Sequence, residues 1–219
     1  MGFLSNVFGG DKQEDALKEA FTLIKRILED ESFQIELMPP AMREILASRP
    51  SFDQDPNGSG PFGLSETNPI PVNGPVGELA YLSKLETQRG ERILFHRIGA
   101  INTIDVFEAV TFSGSEWFIL FVDQYHPRKS RITPNGFRFT QEIGQFSGFH
   151  NNCPRFPFDF VQMKQADSTL LSLAYIPISR VAQQIDGRVY QRPLSHKVKL
   201  DLVRRKMTSV TLQKDGTSN

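Results

Sequence analysis

Basic and aromatic residues are interleaved between Asp123 and Phe139, directly after a strongly apolar run. This mixture is typical of surfaces that bind phosphates or nucleic acid, because cations neutralise phosphates and aromatic rings offer stacking faces. A charged, solvated hairpin tip with prolines at its shoulders would have the same composition. We call residues 125–138 the basic loop, and its candidate anion-binding residues are Tyr125, His126, Arg128, Lys129, Arg131 and Arg138.

His150 and Cys153 are the candidate catalytic residues, because a thiolate beside a histidine is the minimum that nucleophilic cysteine chemistry requires. Pro154 keeps Cys153 out of an ordinary helix N-terminus, which is the usual setting that lowers the pKa of a thiol. A cysteine in a loop that enters a buried strand more often packs as a small apolar residue. The sequence therefore favours a packed cysteine over a nucleophile.

No metal site and no cofactor are predicted. His150 and Cys153 supply two possible zinc ligands, whereas structural zinc sites generally have four, and the other histidines are far apart in the sequence. The sequence has no nucleophile elbow, no lysine-bearing phosphate loop and no dinucleotide-binding fingerprint. Asp105 and Glu108 are an odd number of positions apart on a predicted strand, so they point to opposite faces and cannot serve one acid–base site.

The core that would position these residues is predicted to be a β-sheet. Runs of β-branched and aromatic residues at 93–98, 104–112 and 117–122 indicate strands, and a Ser-Gly-Ser turn at 113–115 joins the last two in an antiparallel meander. Further strands are expected at 136–140, 158–163, 170–178 and 197–203, the last from its alternation of apolar and polar residues.

Helices are predicted mainly in the first half of the chain. Asp11 and Glu14 form a capping-box pattern ahead of an apolar stripe from Leu17 to Leu28. Short helices are expected after Pro39-Pro40, at 76–85 and at 179–185. The Pro- and Gly-rich residues 68–78 are interpreted as a rigid extended strap, with a ligand-contacting loop as the alternative.

The predicted fold is a single α+β domain. It has an antiparallel sheet core of about five to eight strands, with the N-terminal amphipathic helix and one or two short helices packed on it. Its parts are a flexible apolar arm at 1–10, a helical segment at 11–50, a connecting loop at 51–75, a β-rich core at 76–212 and a disordered tail at 213–219.

Charge is unevenly divided although the formal net charge is zero. Residues 1–87 have 7 basic and 14 acidic side chains, whereas residues 88–219 have 18 and 11, which gives −7 and +7. Three explanations are open: an acidic helical face folded back on a basic sheet, head-to-tail self-association, or a basic patch for an anionic partner. A run at Arg204-Arg205-Lys206 adds to the basic half and would also suit an edge strand.

The leading functional hypothesis is a non-enzymatic binding or scaffold protein that acts through protein–protein contacts and self-associates. One alternative is a small hydrolase or transferase that uses His150 and Cys153, and another is nucleic-acid or polyanion binding by the basic loop. A single cysteine fits a reducing compartment, and no run resembles a signal peptide or a membrane span, so a cytoplasmic location is expected.

Overall fold

A four-stranded sheet lies at the centre of the structure, a computed structural model that describes residues 25–140, 155–157 and 190–215, together with residues 19, 22 and 23. Residues 25–29 are helical. The helices with defined bounds are α1 (Glu31–Glu36), α2 (Pro40–Ser48), α3 (Gly74–Ser83) and α4 (Leu194–Asp215). The strands are β1 (Ile70–Pro71), β2 (Leu85–Thr87), β3 (Ile93–Ile101), β4 (Ile104–Thr111), β5 (Trp117–Asp123) and β6 (Phe137–Phe139).

The sheet has the order β1-β5-β4-β3 and is mixed. Strands β3, β4 and β5 pair antiparallel in sequence order, with Phe107 opposite Leu120, as the three apolar runs and the Ser-Gly-Ser turn predict. The expectation of a wholly antiparallel core is wrong, because β1 pairs parallel to β5 with Ile70 opposite Val122. The separate pair β2-β6 is antiparallel and accounts for the strand predicted at 136–140.

The two faces of the sheet are covered by different elements. Phe95, Phe107 and Leu120 pack with Tyr81 and Leu82 of α3 on one face. The other face packs on Phe156, Tyr190 and α4, through buried side chains that include Leu94, Val110, Val106, Phe121 and Leu200. Alternate residues of β4 therefore lie in different cores, which is why Asp105 and Glu108 point to opposite faces as predicted.

Local sequence explains where the first helices begin. The Asp30 side chain accepts a hydrogen bond from the Phe33 amide (3.0 Å) and so caps α1. Pro40 occupies the first turn of α2, where it loses no helical hydrogen bond. Gly74 has φ +75°, and a Cβ there would lie 2.4 Å from Met38 Cε, so only glycine fits at the start of α3.

The strand predicted at 197–203 is wrong, because these residues belong to α4. Val198, Leu200 and Leu202 alternate as in a strand, but only Leu200 of the three is buried. The residues that contact the sheet side are His196, Leu200, Val203 and Met207, whose spacing of four, three and four places them on one helical face. The signal at residues 197–203 therefore came from two apolar residues that face outward.

Other predictions are met in part or lie outside the described residues. The helix predicted at 76–85 is present but runs from Gly74 to Ser83, and Leu85 begins β2. The rigid extended strap predicted at 68–78 is wrong from Gly74 onward, because those residues are helical. Residues 213–215 of the predicted tail are helical. The arm at 1–10, the start of the helix at Asp11, the strands at 158–163 and 170–178 and the helix at 179–185 lie outside the described residues.

Candidate functional site

The basic loop is fixed to the body of the protein through its polar side chains. His126 is buried, and its Nε2 atom lies 3.0 Å from Asp123 Oδ2. Burial alone would raise the pKa of Asp123, but hydrogen bonds from His126 and from the Tyr125 amide lower it overall. Tyr125 also forms an isolated antiparallel bridge with Asn73, which precedes α3. Tyr125 and His126, both predicted to bind anions, therefore make structural contacts at the start of the basic loop.

Most cations of the basic loop are paired with carboxylates from the first half of the chain. Arg128 binds Asp53 (2.5 Å), and Arg138 binds Glu86 (2.7 Å). Lys129 Nζ lies 2.6 Å from Gln34 Oε1 and 3.4 Å from Glu31 Oε1. In α4, Lys206 likewise binds Glu66 (2.5 Å). The first explanation of the charge division is an acidic helical face folded back on a basic sheet. The pairs do join the acidic first half to the basic second half, but only Glu31 of these carboxylates lies on a helix.

Arg131 differs from the other cations of the basic loop. It is exposed, and no carboxylate among the described residues lies within ion-pairing distance of its side chain, although its amide donates to Asp53 Oδ1 (2.8 Å). Arg131 lines an open cleft of about 430 Å³ between the helical segment, the end of α3 and the basic loop. We call this the α3 cleft, and its polar lining residues include Glu29, Glu31, Lys84, Lys129, Arg131 and Thr140.

The most highly connected polar group among the described residues is Glu108, on the α4 face of the sheet. Its Oε1 atom lies 2.6 Å from Arg192 Nε and 2.9 Å from His196 Nε2, and its Oε2 atom lies 2.9 Å from His96 Nε2 and from Arg192 Nη2. Burial by itself raises the pKa of Glu108, but these hydrogen bonds outweigh it and hold the pKa well below its ordinary value. We call these four residues the Glu108 cluster.

Aromatic rings surround the Glu108 cluster. The His96 ring stacks on Phe156 with 4.0 Å between centroids, and the Arg192 guanidinium lies 5.3 Å from the Trp117 ring. Two histidines beside a carboxylate have the residue types of a proton-transfer site. Every donor here is directed at one carboxylate, however, so the arrangement joins α4 and its preceding segment to the sheet.

A second buried carboxyl group, Glu78 of α3, lies on the opposite face of β4. Burial and the neighbouring Asp105 raise its pKa to about 10, so Glu78 is protonated at neutral pH. Asp105 accepts hydrogen bonds from Arg97 Nη2 (2.6 Å) and Gln124 Nε2 (3.0 Å). Among the described residues, Glu78 Oε1 has no hydrogen-bond partner. The protonated Glu78 thus lies beside the Asp105 side chain.

The outward side of α4 is apolar and basic. Leu194, Val198 and Leu202 are 77%, 52% and 54% exposed, and their spacing of four residues places them on one face of the helix. Exposed cations flank this stripe at Lys197, Lys199 and Arg205. We call these six residues the α4 outer face. The side of the helix that packs on the sheet lies opposite to them.

Exposed apolar residues also occur in the helical segment 19–48, but there acidic side chains outnumber basic ones by six to three. Leu23, Leu37 and Ile45 are each close to half exposed. Glu19, Glu36 and Glu44 are exposed in the same segment. We call these six residues the acidic helical surface. The protein therefore presents apolar residues among acidic groups in one segment and among basic groups in another.

No local pattern in the sequence links the four members of the Glu108 cluster. His96 and His196 are among the scattered histidines of the sequence, Glu108 is one carboxylate of a predicted strand, and no motif marks Arg192. No motif marks Lys84 of the α3 cleft either. His150 and Cys153 lie outside the described residues, so their prediction stays untested. Within the described ranges, no group of three or more His, Cys, Asp or Glu side chains is arranged to hold a metal ion, and no helix is long and apolar enough to cross a membrane.

Comparison of the chain with protein-family models, with curated proteins and with solved structures finds no match.

Proposed function

We propose that the protein is a binding or scaffold protein that acts through protein–protein contacts and self-associates, with the α4 outer face of one copy against the acidic helical surface of another. The observation that carries this proposal is the apolar stripe of Leu194, Val198 and Leu202. It lies on a helix whose other face is already packed on the sheet, and none of the core clusters of the described residues includes the stripe. Contiguous exposed apolar residues with a polar rim are typical of interaction surfaces.

Charge supports a second copy as the occupant. Residues 194–207 contain five Lys and Arg and one Asp, whereas residues 19–48 contain six Asp and Glu and three Lys and Arg. Two α4 outer faces would repel each other because both are basic. An α4 outer face and an acidic helical surface attract, and their apolar residues can be buried together. The proposed contact is therefore head-to-tail rather than two-fold symmetric.

A catalytic role for the Glu108 cluster has less support than a structural one. Within the Glu108 cluster, Glu108 and His196 are buried, and the carboxylate is fully engaged by Arg192, His196 and His96. A general acid or base must reach a proton on a substrate, which requires access to the group. The contacts of Glu108 instead stabilise the position of α4, on which the proposed interface depends.

Sedimentation velocity over a range of concentrations tests the proposal. The wild-type protein is expected to show a mass that increases with concentration, because each copy offers both surfaces. Val198→Asp places a charge in the middle of the stripe and is expected to remain monomeric. Ile132→Asp is the matched control, since Ile132 is a similarly exposed apolar residue outside both surfaces. A wild-type protein that stays monomeric up to about 200 µM, a weak-affinity range, would contradict the proposal.

A further inference from the structure

The α3 cleft has the dimensions of a small-molecule site. Its volume is about 430 Å³, and ligand sites in proteins typically have volumes of about 300–1,000 Å³. Three parts of the chain contribute to its walls: the helical segment near Glu29, the C-terminal end of α3 at Lys84, and the basic loop at Lys129 and Arg131. The cleft is separate from the α4 outer face and does not include the Glu108 cluster.

Two cations of the cleft are available to a ligand. Among the described residues, neither Lys84 nor Arg131 has a carboxylate within 4.0 Å of its side chain, whereas Arg128, Lys129 and Arg138 are each paired. Lys84 follows the last residue of α3, where the helix dipole favours a positive charge. Its carbonyl oxygen accepts a hydrogen bond from the Thr140 amide (2.8 Å), which fixes this part of the backbone.

Two aromatic residues line the cleft, and of these Tyr81 is buried and Phe139 is half-buried. The rings of Tyr81 and Phe139 meet edge to face with centroids 5.2 Å apart. The Tyr81 hydroxyl donates to the Ile132 carbonyl oxygen at 2.5 Å, so the phenol is held in place. Burial lowers the pKa of Lys129 on the adjacent wall, against the opposing effect of Glu31. The Phe139 ring thus lines the same cleft as Lys84 and Arg131, the two lining cations that form no ion pair within the described part of the chain.

From this juxtaposition we infer that the α3 cleft binds a small organic anion, a phosphate ester or carboxylate attached to a flat apolar body. The anionic group lies between Lys84 and Arg131, and the apolar body contacts Tyr81 and Phe139. Paired cations such as Lys129 hold the shape of the cleft and do not contact the ligand charge. Glu29 at the rim opposes the anion, which limits the affinity for highly charged ligands.

Isothermal titration calorimetry of the protein with phenyl phosphate tests this inference. Phenyl phosphate is expected to bind at least tenfold more tightly than inorganic phosphate, because only the former reaches the aromatic lining residues. Lys84→Ala and Arg131→Ala are each expected to weaken binding by tenfold or more. Glu29→Gln removes the opposing charge and is expected to strengthen binding severalfold. Arg89→Ala is the matched control, because Arg89 is an exposed cation outside the cleft.

Two outcomes would overturn the inference. One is the absence of phenyl phosphate binding at concentrations up to about 10 mM, which is weaker than specific sites of this kind. The other is an equal loss of affinity in Lys84→Ala, Arg131→Ala and Arg89→Ala, which indicates non-specific attraction to surface charge. Circular dichroism spectra that match the wild type establish that the variants are folded. Neither outcome depends on self-association, because none of these residues belongs to the α4 outer face or to the acidic helical surface.

Discussion

One buried carboxyl group lies on each face of strand β4, and the two groups differ in ionisation. Glu108, on the α4 face, accepts hydrogen bonds from an arginine and two histidines and is ionised. Glu78, on the α3 face, is next to another carboxylate, Asp105, and is protonated. Both groups are removed from water, so burial alone does not distinguish them.

The comparison shows that the partners of a buried carboxyl group decide its charge. Burial disfavours the charged form at both positions, but three donors reverse this effect at Glu108 and a like charge adds to it at Glu78. The structural roles differ accordingly. The charge of Glu108 joins β3, β4 and α4. The neutral Glu78 packs between α3 and the sheet, and keeping it protonated lowers the free energy of unfolding further as the pH rises.

Glu108→Gln is expected to have the largest effect on stability, a loss of about 3–5 kcal/mol, because it removes the fully buried charge to which Arg192 and two histidines are bound. The wild-type contribution is present above the ordinary carboxyl pKa of 4.5 and is lost as the pH falls below it, because only the folded state resists protonation. Chemical denaturation at pH 7 and pH 4 measures both effects.

Glu116→Gln is the control for Glu108→Gln, since Glu116 is a half-buried carboxylate with no ion pair among the described residues. It is expected to change stability little. If Glu108→Gln also changes stability by less than about 1 kcal/mol, the Glu108 cluster does not hold α4 on the sheet as its geometry indicates.

Glu78→Gln is expected to increase stability by about 1–3 kcal/mol at pH 8, because the amide can donate to Asp105 without an ionisable proton. In the wild type, the unfolded state loses the Glu78 proton above pH 4.5 while the folded state keeps it up to about pH 10. Stability therefore falls with rising pH in this window, by up to about 1.4 kcal/mol per pH unit.

Denaturation of the wild type and Glu78→Gln at pH 6, 7, 8 and 9 measures the difference in slope. A slope that is identical in the two proteins would mean that Glu78 is ionised in the folded state, contrary to its environment. Glu29→Gln, at an exposed carboxylate, serves as the control and is expected to leave the slope unchanged.

Lys206→Ala is expected to have the smallest effect, less than about 0.5 kcal/mol, because the Lys206–Glu66 pair is exposed and screened by solvent. The measurement is the same denaturation experiment at low and moderate salt. A loss as large as that expected for Glu108→Gln would show that exposed pairs between the two halves of the chain stabilise the fold as strongly as the buried cluster does.

The local parts of this fold were predictable from sequence, and the long-range parts were not. The antiparallel meander β3-β4-β5 follows from three β-branched and aromatic runs with a glycine turn, all within one short stretch. The parallel pairing of β1 and the helix at α4 were missed. Pro71 makes β1 an unusual strand, and the outward Val198 and Leu202 gave α4 the alternation of a strand.

In the candidate sites too, local features could be predicted from the sequence and long-range contacts could not. The basic loop was found from its composition, but its ion pairs with Asp53 and Glu31 join residues far apart in sequence. In the Glu108 cluster, 84 residues separate Arg192 from Glu108. No local spacing marks such a set, because it is the sheet register and the docking of α4 that bring its members together. The charge division of the chain was the one long-range signal available.

Charge exchange between the two proposed surfaces tests self-association most directly. One variant, Lys197→Glu with Lys199→Glu, makes the α4 outer face acidic, and the other, Glu36→Lys with Glu44→Lys, makes the acidic helical surface basic. Each variant alone has two surfaces of like charge and is expected to sediment as a monomer. An equimolar mixture restores opposite charges at every contact and is expected to associate as the wild type does. A mixture that stays monomeric while the wild type associates, or a single variant that associates as the wild type does, would contradict the head-to-tail contact.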